Sequence, residues 1–375
     1  MESSVVIPFL AMVLVQLSYA GMNIISKFAL QSGMNPLVLV AYRQIFATLT
    51  LAPFAYWLER KTVPRITMRI GFQILLSSLT GITGNQVLYF VGLKYSTPTI
   101  ATALLNLLPA FTFVLAVLFR QESVRIKTRA GQAKVLGTVL SVSGALLLSF
   151  YHGKTLHLGE SSIHWSYADK MEAATSSGSG RTNLLLGPVA LIISTLSWAV
   201  WFIIQTDMSK NFRAPCTCSF YMCLLASIQC VAIALCFEHK VSAWSLHNTM
   251  GLTSALYAGI ISSGLVYFLI SWTIERKGPL YVSVFTPLLL VIIAVVSWAL
   301  LHEKLYVGTA VGSVLIVFGL YAVLWGKGKE MNKKDDIQET VTEAIKDKEQ
   351  DEINDLELQS YDPSNGNGSH GIQKR

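Results

Sequence analysis

Charge is scarce in this chain. Asp, Glu, Lys and Arg make up 14% of the 375 residues, 52% are hydrophobic, and the mean hydropathy is +0.50. A soluble domain of this length needs more charge to cover its surface, so the composition excludes an ordinary globular protein. Acids and imidazoles are scarcer still where the chain is most apolar. All seven His (152, 157, 164, 239, 247, 302, 370) stand outside the long apolar stretches, no Asp or Glu falls inside one, and Asp207 sits at an end. That leaves no nucleophile, acid pair or metal cluster at membrane depth, and points to neither enzyme, metal nor cofactor. The five Cys (216, 218, 223, 230, 236) lie in a single stretch, with 216, 223 and 230 on one helix face. One face cannot pair with itself in disulfides, so they read as small residues that let helices approach closely.

What the chain does have is ten apolar stretches: Val5–Leu30, Pro36–Trp57, Ile70–Leu93, Thr97–Phe119, Gly131–Phe150, Pro188–Thr206, Cys216–Phe237, Gly251–Thr273, Leu280–Leu301 and Val307–Trp325. Each is about 20 residues long, enough to cross a bilayer as helix. Backbone polar groups cannot be left bare in lipid, so the fold class is an all-α membrane bundle. Met1–Ser4 carries no basic residue ahead of the first stretch, which reads as a retained helix and not a cleaved signal.

The net charge of +7 does not point to nucleic acid. From Gly326 onward there are 8 Lys/Arg against 12 Asp/Glu, so the body before it carries +11, spread over short loops. Seventeen Lys and Arg fall on one set of loops, including Arg60–Arg69 and Arg120–Lys134, and seven on the other. The basic side is expected to be cytoplasmic and to hold both termini. The hydrophilic stretch 151–187, with Ser176-Ser177-Gly178-Ser179-Gly180, is then a flexible extracellular or lumenal connector. The tail, 327–375, is acidic and poor in aromatics and is expected to be disordered.

The apolar part reads as one five-helix unit written twice, over 5–150 and 188–326. Ser18-Tyr19-Ala20 parallels Ser197-Trp198-Ala199, and Leu88-Tyr89-Phe90 parallels Val266-Tyr267-Phe268. The last helix of each unit has glycines seven apart, Gly137 and Gly144, then Gly312 and Gly319. An odd number of spans per unit forces the second to enter the membrane upside down. The loop charges agree, since Arg120–Lys134 is strongly basic while its counterpart at His302-Glu303-Lys304 has a single Lys. Inverted repeats around a midplane site are how many secondary transporters open to either side.

Residues 16–27, Gln-Leu-Ser-Tyr-Ala-Gly-Met-Asn-Ile-Ile-Ser-Lys, resemble the plant nodulin-like, Walls-Are-Thin-related transporters of the EamA type, in the drug/metabolite transporter superfamily. So do Pro53-Phe54-Ala55-Tyr56 before Leu58-Glu59-Arg60-Lys61, Asn106-Leu107-Leu108-Pro109-Ala110 and the run Gly319–Lys327. The resemblance covers about residues 5–328. It implies ten helices in two EamA repeats that move small organic solutes, amino acids first and an indole-type acid such as auxin second. It implies a plasma-membrane location, with the vacuolar membrane as alternative. One departure is Thr286-Pro287, where many relatives have Asn-Pro.

Polar side chains inside a span are costly and face the bundle interior or a wet cavity. Asn23, Arg43, Asn85, Gln86, Asn106, Gln205 and Thr286 are therefore candidate solute contacts, with helix–helix hydrogen bonding the competing role. Tyr19, Tyr89, Trp198, Trp201 and Tyr267 are candidates for stacking on a solute or for plain packing. Arg43 can clamp a carboxylate through two parallel bonds, or snorkel to the interface, and its long stem favours the second. Pro109 and Pro287 are candidate hinges or static kinks; aligned on Glu122 and Glu303 they fall about one turn apart. With no acid or His at depth, the carrier is expected to be facilitative. A membrane receptor or scaffold is the alternative of another class, and the short loops leave a partner little to grip.

Overall fold

The computed structural model describes residues 3–31, 33–59, 61, 63–95, 98–122, 127–151, 154, 186–240, 244–245, 249–301 and 306–330. Most of the expected connector, the tail beyond 330, and His302, Glu303 and Lys304 lie outside the described residues.

Among the described residues, ten helices follow one another. They are α1 (Ser3–Gln31), α2 (Pro36–Glu59), α3 (residues 68–95), α4 (residues 98–118), α5 (Arg129–Phe150), α6 (Leu186–Asn211), α7 (Pro215–Phe237), α8 (Thr249–Lys277), α9 (residues 279–301) and α10 (Val307–Glu330). Nine are long and apolar enough to cross a membrane, and α4 supplies the shorter apolar run Ala103–Leu118. Large apolar side chains such as Leu49, Phe54, Trp57, Leu118 and Phe318 stand exposed on the outer surface, as lipid-facing residues do. Lipid is as apolar as these side chains, so the helices associate through close packing and buried polar contacts.

Four helices depart from regular winding, in matched pairs. In α3 the segment Ser78–Gly84, and in α8 the segment Ile260–Leu265, are π-helical. Both are rich in Gly, Ser and Thr, whose hydroxyls can take up loosened carbonyls: Ser78 Oγ donates to Leu75 O at 2.8 Å and Thr80 Oγ1 to Leu76 O at 2.8 Å. α4 and α9, each expected as one continuous helix, are instead broken. α4 runs Pro98–Leu105 and Leu108–Leu118, and α9 runs Pro279–Ser283 and Leu288–Leu301. Across both breaks the backbone tightens to bonds three residues back, Leu107 N to Leu104 O at 3.1 Å and Thr286 N to Ser283 O at 3.0 Å. Pro109 and Pro287 explain this, because neither can donate to the preceding turn. Each proline stands beside a helix start, not in mid-helix.

The two halves interlock. α2 and α7 pack antiparallel: the Glu59 carboxylate accepts from Cys216 N at 2.9 Å and Thr217 N at 2.7 Å, capping the start of α7, and Asn35 Nδ2 donates to Glu238 at 2.7 Å at the other end. Cys216, Cys218, Cys223 and Cys230 are buried and all five thiols are free. α5 and α10 meet through the paired glycines. A Cβ on Gly137 would lie 2.7 Å from Gly319 O, and one on Gly312 would lie 2.7 Å from Gly144 O. The pairing is reciprocal, first glycine to second and second to first, as two inverted copies of one helix require.

Candidate functional site

α1, α2, α3, α4, α6, α8 and α9 enclose a cavity of about 440 Å³ between the halves. α1 presents it with one face, Met12, Gln16, Tyr19, Asn23 and Ser26, spaced by three and four as a single helix stripe must be. Tyr19 and Asn23 of this stripe are expected from the sequence; Gln16 and Ser26 are not, although the same period marks them.

Ten of the twelve candidate residues line this one cavity: Tyr19, Asn23, Arg43, Asn85, Gln86, Tyr89, Asn106, Trp198, Tyr267 and Thr286. Trp201 and Gln205 do not. Trp201 is fully buried, meets Tyr267 edge-on at 5.7 Å, and lies so close to Gly81 that a Cβ there would fall 2.5 Å from its ring. Gln205 turns to α7, where its amide and the Cys218 thiol lie 3.6 Å apart.

Arg43 does not snorkel. It is 6% exposed and points to the π segment of α8, with Nε donating to Ser263 Oγ at 2.5 Å and Nη2 to Ser262 O at 3.4 Å. The widened turn supplies the acceptors, which pull the guanidinium inward. The other half has a neutral counterpart. Gln229 of α7 reaches the π segment of α3, accepting from Thr83 Oγ1 at 2.6 Å and donating to Ser78 Oγ at 3.1 Å. So each π segment is latched by a long polar side chain from the opposite repeat, but only Arg43 is charged and only Arg43 lines the cavity.

Asn85 is both a cavity-wall residue and a helix–helix bond donor. It lines the cavity, and its amide donates to Ser194 O at 3.0 Å and Ser194 Oγ at 3.1 Å. Asn23 Nδ2 donates to Tyr19 O at 2.9 Å. Tyr19 and Trp198 meet edge-on at 6.3 Å on the cavity wall.

At the end of the bundle that holds the start of α1 and the end of α10, the space between helices is filled. Phe9 meets Phe285 at 5.6 Å and Tyr281 meets Phe285 at 5.4 Å. Beside them lies a buried ion cluster that the sequence reading did not anticipate. Glu122 pairs with Lys327 and, at 3.4 Å, with Lys134; Lys134 also pairs with Glu330 at 2.5 Å. Lys134, counted by the sequence reading among loop charges, is 1% exposed. Its place inside the apolar run of α5 was the available signal. From the rings of Phe9, Tyr281 and Phe285 the cavity extends the other way, to Ser26, Leu39, Phe90 and Ile293.

The chemistry of the lining is one-sided. Arg43 is its one charged member; no Asp, Glu, Lys or His lines the cavity among the described residues. Aliphatic side chains, aromatic rings and amides make up most of the rest. Such a chamber suits a small, partly aromatic solute bearing one negative group.

The sequence matches the EamA-like transporter family over residues 6–150 and 185–325, one match per repeat. A WAT1-related protein of Arabidopsis thaliana is 41% identical over 332 residues, covering 86% of this chain and 81% of its own length. Protein WALLS ARE THIN 1 of the same plant is 39% identical over 323 residues, covering 86% and 83%. A crystal structure 16% identical in sequence superposes with a TM-score of 0.60, over 86% of this chain and 97% of the other, a likeness of fold alone. Repeats, cavity and relatives agree: the chain belongs to the EamA-like, WAT1-related family of multi-pass membrane transporters.

Proposed function

We propose that the chain is a facilitative, alternating-access carrier of small organic carboxylates, with Arg43 holding the carboxylate. The observation that carries this reading is the single cation in a cavity whose described lining has no acid. Of the two solutes that the family resemblance suggested, an indole-type acid fits this lining better than an amino acid. Its ring matches the walls of Tyr19, Tyr89, Trp198 and Tyr267, and its lone charge matches Arg43. A zwitterion brings an ammonium for which the lining offers only neutral acceptors. Amino acids are the second reading, favoured by the amides of Gln16, Asn23 and Gln86.

Pro109 and Pro287 serve as the hinges of this carrier, since the tightened breaks beside them lie at the cavity, where Asn106 and Thr286 line it. The loop charges support cytoplasmic termini, and the plasma membrane is the proposed location. The test is uptake of labelled indole-3-acetate and of a panel of amino acids by proteoliposomes holding the full chain. Saturable uptake of the acid that Arg43→Gln abolishes is expected. Equal uptake by Arg43→Gln, or uptake that stops when the pH gradient is collapsed, overturns the site or the facilitative mode respectively.

A further inference from the structure

Arg43 lies in the cavity wall, but the groups that aim it do not line the cavity. Ser263 is fully buried behind the guanidinium, and neither it nor Ser262 belongs to the lining. The π segment creates this arrangement. Val266 N donates to Ile261 O and Ser263 O and bypasses Ser262 O, the carbonyl a regular helix would have engaged. Ser262 O accepts from Arg43 Nη2, and Ser263 Oγ accepts from Nε at 2.5 Å. The Ser262 hydroxyl is tied off separately, donating to Ser18 O of α1 at 3.1 Å.

An arginine held through Nε and Nη2 has one edge committed and Nη1 left over. Nη1 has no hydrogen-bond partner among the described residues. A guanidinium without the Nε bond can rotate about its long stem and trade its direction for entropy. In the other half, Gln229 on Ser78 and Thr83 joins a long side chain to a π segment with no charge presented.

We propose that Ser263 is a positioning residue for solute selection. Its hydroxyl oxygen, supplied by the π turn of α8, fixes Arg43 so that Nη1 faces the cavity, and this sets the preference for anionic over neutral solutes. The proposal rests on the reading of Arg43 as the carboxylate anchor. It makes Ser263 act only through Arg43, so its effect must vanish when Arg43 is gone.

The test measures binding of indole-3-acetate and its neutral amide, indole-3-acetamide, to the purified full chain at neutral pH. The ratio of the two affinities is the readout. A purely structural role of Ser263 would lower both affinities together and leave the ratio alone. Expected is an about tenfold fall in the acid-to-amide ratio for Ser263→Ala, the equivalent of one bond to a charged group. Ser263→Cys fills the same space with a much weaker acceptor and is expected to move the ratio the same way. Adding Ser263→Ala to Arg43→Gln is expected to change the ratio no further. If Arg43→Gln lowers the ratio while both Ser263 variants keep it, or if the double variant shows a second independent loss, the positioning role is overturned and the anchor stands. If the wild type binds acid no better than amide, or Arg43→Gln keeps the preference, the anchor falls and the proposal falls with it.

Discussion

Asn85 and Ser194 hold each other across the two halves: the Asn85 amide donates to the Ser194 hydroxyl and carbonyl, and the Ser194 hydroxyl donates back to Asn85 O at 2.9 Å. This closed set joins α3 to α6 just below the π segment. Replacing either residue by Ala is expected to lower stability by about 1 kcal/mol, with the double variant costing less than the sum. Thermal unfolding in detergent checks it. A shift in solute affinity with no loss of stability would show that Asn85 serves the solute more than the fold.

Gln229 offers a control for the charged latch. Gln229→Leu removes the side-chain amide that joins Ser78 and Thr83; among the described residues Ser78 keeps its bond to Leu75 O, and Thr83 keeps only the Cys230 thiol at 3.8 Å. A loss of about 1–3 kcal/mol is expected, with no change in preference between charged and neutral solutes. Unfolding and binding measured on the same preparation separate the two effects.

Glu122 is the shared acid of the buried cluster. Glu122→Ala leaves Lys327 without a described carboxylate partner, and losing one member of a buried pair costs about 3–5 kcal/mol. Removing one charge of each sign, as in Glu122→Leu with Lys327→Met, is expected to cost less than Glu122→Ala alone. The melting temperatures of the three proteins decide it.

Gly81 lies where the α3 wall touches the ring of Trp201. Even Ala there places a carbon 2.5 Å from Trp201 Cγ, so the ring must move into packed surroundings. Gly81→Ala is expected to cost about 1–3 kcal/mol, the usual penalty of overpacking, and to alter tryptophan fluorescence. An unchanged spectrum and melting point would refute the tight contact.

Much of this molecule was legible in its sequence, for physical reasons. Apolar length fixes where a chain crosses lipid, so each of the ten expected spans falls on a helix of the described residues, nine of them counting as crossing on length and composition. Polar residues at depth must turn inward, which gathers most of the candidates on one cavity. The failures follow from phase and partners. Trp198 and Phe202 line the cavity while Trp201 and Gln205 sit on the adjacent stripe of α6, and apolar periodicity cannot tell the two faces apart when both are buried. The inward turn of Arg43 is not legible in the sequence because its acceptor is 220 residues away, on a π turn that only packing produces. The breaks in α4 and α9 were half visible: the prolines announced a disturbance, but not the unwinding beside each helix start.

The glycine contacts between α5 and α10 carry a mechanical consequence. Gly137 meets Gly319 and Gly144 meets Gly312 main chain against main chain, with no side chain between them to bend or swivel. Two rods touching this way at two heights cannot slide or roll without their peptide groups colliding. They form a paired mast standing clear of the chamber, and in the alternating-access carrier proposed above, whatever rocks to expose the solute to one side and then the other must rock against it.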